Sequence, residues 1–145
     1  MSKIKVTVWS EGLPASQPHA QKCYPNDINS AIAAFLKEDP ALDVSISSLE
    51  MDECGLSQEL IDKTEVLVLW AHLYHDQVTD EAADRVATAV LQRGMGLVIL
   101  HSGLFSKIPN IHRKQKRSES DRQRRKMAYS YPRAYTNRTR RSRCP

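Results

Sequence analysis

Two short, uninterrupted apolar runs limit what this chain can fold into more than any other feature: Val66-Leu67-Val68-Leu69-Trp70 and Gly96-Leu97-Val98-Ile99-Leu100. Runs this short, rich in branched side chains and without polar alternation, read as strands covered on both faces. A sheet with helices on both sides provides that cover. The segments between and before them fit this scheme. Lys3 to Trp9 alternates and is β-branched, which predicts a first strand ending at the turn-rich Ser10-Glu11-Gly12-Leu13-Pro14. A long loop is expected through Pro18, His19 and Pro25. Asn26 or Asp27 then caps a helix on which Ile28, Ala31, Ile32, Phe35 and Leu36 recur at helical spacing, and Asp39-Pro40 stops it.

Val44 to Ser47 reads as a short second strand, and Ser57 as the cap of a brief helix over Gln58 to Asp62. Thr79 opens the clearest helix. Asp80, Glu81 and Asp84 lie near its start, Ala82, Val86, Val90 and Leu91 share one face, and Arg93 and Gly94 close it. Strands alternating with helices in this order predict right-handed crossovers and a parallel, doubly wound α/β sheet.

Charge divides the chain in two. Residues 1–108 carry 8 Lys and Arg against 15 Asp and Glu, a balance of −7; residues 109–145 carry 13 against 2, a balance of +11. The second stretch has few aliphatic residues and no sustained apolar period, so a disordered tail is expected there. Its cationic side chains and interleaved Tyr129, Tyr131 and Tyr135 raise the alternative of an arm that binds nucleic acid without sequence preference. A solvated charge run is the preferred expectation. No stretch reaches the roughly 20 apolar residues of a membrane span, and Met1 to Gly12 lacks the pattern of a secretory signal. A soluble, cytoplasmic protein with no membrane contact is therefore expected. Cys23, Cys54 and Cys144 form no CxxC pair, which argues against a disulfide framework or a thiolate zinc site.

In open parallel sheets ligands bind beyond the carboxyl ends of the strands. Glu11 follows the first strand, His72, Tyr74, His75 and Asp76 follow the Trp70 run, and His101, Ser102 and Gly103 follow the Leu100 run. His19, in the loop after the first strand, is a further candidate for this group. Imidazoles gathered with a carboxylate suit a divalent metal such as zinc, for which His72, His75, His101 and Glu11 are the candidate ligands. They suit general acid–base work equally well, with His101, Ser102 and Asp76 as candidate catalytic groups. The plainer reading makes His75 and Asp76 a polar turn before the Thr79 helix. His101-Ser102-Gly103 could form a nucleophile elbow with Ser102 at its apex, although Leu100 stands where the first glycine of GxSxG belongs. The alternative is a tight turn in which Gly103 adopts a conformation closed to other residues. Packing is the expected role of Trp9 and Trp70, although an aromatic at a strand end can also stack on a sugar ring.

KVTVWSE, YPNDINSAIAAFL, VLVLWAHLYHDQV and GMGLVILHSGLFSKI together resemble the ThuA-like (trehalose utilisation) family over Met1 to about Ile108, with WxHxxHD and LHSGxFSK as the specific signatures. The resemblance implies a flavodoxin-like parallel sheet similar to class I glutamine amidotransferases, and a link to trehalose, related disaccharides and keto-sugars as substrates. It singles out Glu11, His72, His75, Asp76, His101 and Ser102. Family members place a histidine soon after the glutamate, where this chain has Gly12-Leu13-Pro14; His19 is the candidate substitute. Amidotransferase chemistry is not expected to carry over, because the elbow holds His101 and Ser102 while Cys23 and Cys54 lie elsewhere. Family members also continue beyond this length with further strands. The break near Ile108 therefore predicts an incomplete domain over 1–108 followed by a tail, 109–145, of the kind a shifted reading frame produces, and a site weakened or inactivated by the loss. The exposed sheet edge left behind favours aggregation or poor stability; a homo-oligomer is a separate, open expectation.

Overall fold

The computed structural model describes residues 2–12, 18–74 and 76–109, together with 120 and 122. The chain divides into two compact units, Met1–Arg113 and Lys114–Pro145. In the second only Ser120 and Arg122 are described, both helical and exposed; the rest of the basic tail lies outside the described residues.

The first unit is an α/β fold on a four-stranded, all-parallel sheet of order β2-β1-β3-β4, the arrangement of flavodoxin-like sheets. The strands are β1 (Ile4–Ser10), β2 (Leu42–Ser48), β3 (Val66–Ala71) and β4 (Gly96–His101). Helices α2 (Asp27–Leu36), α3 (Gln58–Lys63) and α4 (Asp80–Thr88) connect them, preceded by a short α1 (Pro18–Cys23). The two apolar runs thus become β3 and β4, side by side in register from Val66–Gly96 to Ala71–His101.

Two cores form, one on each face, as alternation along the strands requires. On one face Trp9, Leu67, Leu69 and Ala71 pack against Leu56, Ile61, Val78, Ala82, Val86 and Ile108. On the other, Val6, Val8, Val44 and Val68 meet Ala33, with Ile32 and Leu36 of α2 against them. Two of the expected caps are present. The Ser57 hydroxyl accepts the Leu60 N–H at 3.3 Å, and the Thr79 hydroxyl accepts the Ala82 N–H at 3.2 Å. α4 widens over Ala89–Arg93 and ends on Gly94 at φ 77°, where the absent Cβ relieves the left-handed backbone. The Arg93 guanidinium caps the carbonyl of Thr64 at 3.0 Å, tying this end to the start of β3.

One expectation changes. The segment read as loop from Pro18 onward holds α1, with Pro18 at its first position, where a missing N–H costs nothing. It buries no residue, so no apolar period betrayed it. Among the described residues no helix is long and apolar enough to cross a membrane.

Candidate functional site

The chain leaves β1 for β2 on one side of the sheet and later enters β3 on the other. The connections after β1 and β3 therefore lead to opposite faces of the sheet, the switch point at which open parallel sheets bind ligands. Glu11 lies at this divergence and is 3% exposed. Its carboxylate accepts the backbone N–H of Tyr74 at 2.9 Å through one oxygen and that of Leu73 through the other. Both oxygens are spent on fixing the loop that begins at His72. In this arrangement Glu11 anchors the loop, a role that a ligand set read from residue types does not reveal.

The imidazoles converge because of strand register. Ala71 pairs with His101 across β3 and β4, so His72 is one step beyond the residue beside His101. The two ring centroids stand 4.8 Å apart, edge to face at 84°. The Trp70 indole lies against both, 5.7 Å from His101 and 6.3 Å from His72. Nδ1 of His72 is buried and has no hydrogen-bond partner. Nδ1 of His101 is 3.0 Å from the Ser102 hydroxyl, and the ring is exposed. A hydroxyl on one nitrogen restrains the ring's orientation and is compatible with either tautomer, since it can donate or accept.

The elbow is present, but its apex is His101 rather than Ser102. His101 adopts φ 55°, ψ −133° between β4 and the 3₁₀ turn Ser102–Phe105. A non-glycine residue in such a conformation costs about 1–3 kcal/mol. Gly103 does not supply the turn's unusual backbone, since its φ is not positive; it supplies clearance. A Cβ there would lie 2.7 Å from Leu69 Cδ2 and 3.0 Å from Ile99 Cγ2, both packed in the core. Gly103→Ala is expected to cost about 1–3 kcal/mol by overpacking and to displace the elbow. Urea unfolding with imidazole proton NMR checks this; unchanged stability and ring shifts would refute the wedge.

The remaining candidates stand differently. Asp76 is exposed in the turn before Thr79, and His75 lies outside the described residues. His19 is exposed on α1, with no ring contact to either imidazole. Among the described residues no three His, Cys, Asp or Glu side chains gather as a metal would require. Cys23 and Cys54 are free thiols, the first on α1 and the second after β2. Trp9 is fully buried, as its packing role anticipates.

Asp27 is a second residue with a strained backbone beside the carboxyl end of β1. It holds φ 67° at the start of α2. Its two oxygens accept the Ser10 hydroxyl and the Ile28 N–H, each at 2.6 Å. Asn26, the residue before α2, makes no side-chain cap bond, and no local pattern signals the bond of Asp27 back to β1. No protein-family model matches the chain, and no curated protein is similar to it.

Proposed function

We propose that this chain is a ThuA-like domain that handles a disaccharide or keto-sugar, with His72 and His101 as an acid–base pair beside an indole platform. The observation carrying this reading is the approach of the two imidazoles to 4.8 Å, with Trp70 against both. They come from the two sequence signatures that carry the family resemblance. Sugar rings present apolar C–H faces that stack on indole, and hydroxyls that exchange protons with imidazole. One ring, neutral, takes a proton from a hydroxyl while the other, protonated, returns one to an oxygen nearby. Ser102 holds His101 in place for that task.

A divalent metal such as zinc would find donors in the same pair, and the unpartnered Nδ1 of His72 fits that use. Such an ion would polarise a sugar oxygen. The Glu11 oxygens are already taken by amides, so the third donor would come from elsewhere.

The test is a calorimetric titration of the full chain with trehalose and its keto derivative, before and after dialysis against a chelator. Trp70→Ala is expected to weaken binding about tenfold, the equivalent of some 1.4 kcal/mol. His101→Ala is expected to abolish turnover of any sugar that binds. No binding of either sugar by the native chain, or equal binding by Trp70→Ala, ends this proposal. Affinity that survives the chelator removes the metal from it.

A further inference from the structure

The two borders of the sheet are built differently. β2 has the composition of a solvent-facing edge: Asp43, Ser45, Ser47 and Ser48 interrupt its apolar residues. β4 reads Gly-Leu-Val-Ile-Leu-His, with no charge, proline or bulge to discourage pairing. Among the described residues nothing pairs with its outer side. Val98 is 45% exposed, and Leu104 and Phe105, directly after the strand, are 46% and 70% exposed. The neighbouring β3, of similar composition, has Leu67, Val68 and Leu69 buried in sequence.

We propose that β4 pairs antiparallel with β4 of a second copy, joining the two sheets into one of eight strands. The hydrogen-bonding phase supports this. The Gly96 N–H donates to the Glu65 carbonyl on the β3 side at 2.8 Å. Backbone groups alternate in direction along a strand, so the amides and carbonyls of Leu97 and Ile99 point to the outer edge, while the turned backbone of His101 ends the alternation. A two-fold axis through Ile99 sets Ile99 opposite its own copy, Val98 opposite Leu100, and Leu97 opposite His101. Every facing pair is apolar except the last, and no like charges meet. The symmetry satisfies the edge of both copies with one contact. Growth stops at two because the outer borders are then the polar β2 strands. The partner's Leu97 also comes to lie beside the His101 elbow, so the second copy forms one wall of each candidate site.

Sedimentation of the full chain over a wide concentration range tests the proposal, with Val98→Lys as the variant. The native chain is expected to pass from monomer to dimer and no further. Val98→Lys replaces two symmetry-related apolar pairs by a buried cation, and is expected to raise the dissociation constant about tenfold or more. Amide exchange of the native chain provides a check should the variant fail to fold. The Leu97 and Ile99 amides are expected to gain protection with concentration, while those of β2 do not. A native chain that stays monomeric to its solubility limit, a dimer unchanged by Val98→Lys, assembly beyond two, or edge amides indifferent to concentration would each overturn it.

Discussion

Replacing Glu11 by alanine is expected to destabilise the domain by about 3–6 kcal/mol. The estimate takes two hydrogen bonds to a charged acceptor at about 1.5–3 kcal/mol each. The carboxylate is almost fully buried and serves the Leu73 and Tyr74 amides together. Removing it leaves both donors without their carboxylate partner in a partly buried loop. Glu11→Gln preserves shape but turns an NH2 group toward one of the amides, and is expected to cost about half as much. Equilibrium unfolding in urea measures both. The functional consequence is distinct: with its loop released, the His72 ring no longer holds its place against His101, so the ring shifts of His72 change more than those of the distant His19. An alanine variant within about 0.5 kcal/mol of the native protein, the range of neutral surface changes, would contradict the anchoring role.

Trp9→Ala is the second large effect, expected at about 3–5 kcal/mol. The indole is fully buried in the core beneath α3 and α4, and its Nε1–H donates to the Cys54 carbonyl at 2.7 Å. That bond also holds the tight turn after β2, where Glu53 and Cys54 take positive φ. Trp9→Phe retains most of the ring volume and loses the bond, so it separates the two contributions at about 1–3 kcal/mol for the orphaned carbonyl. Thermal or urea unfolding reads both values. Equal losses in the two variants would place the whole effect in the hydrogen bond and none in the packing.

Much of the fold was legible because burial leaves a periodic trace. The runs that became β3 and β4 were both read as covered strands: β3 buries Leu67, Val68 and Leu69 in succession, whereas β4 buries none of its residues and leaves Val98 45% exposed, because no described strand lies beyond it. The α4 stripe recurs at helical spacing because that helix rests on one face of the sheet; on α2 the expected stripe is only partly right, since Asn29 and Ala33 are buried while Ala31 and Phe35 are exposed. α1 left no such trace, since it packs no apolar face, and the reading from residues passed over it. The same holds for Asp27, whose bond to Ser10 bridges β1 and α2 without any local pattern.

The identity of the polar residues at the strand ends was likewise readable from parallel topology, which gathers every strand's exit at one rim. Their relations to one another were not. That His72 meets His101, that Trp70 lies against both, that Glu11 is consumed by backbone amides, and that His101 rather than Ser102 takes the strained backbone all depend on register and on loop path. By itself the amino-acid order determined which segments are strands and helices, because water ranks side chains wherever they stand in the chain. Only the tertiary structure decided which groups face one another. Those pairings join residues remote in sequence, and their geometry is fixed by hydrogen-bond phase between strands rather than by any neighbour along the chain.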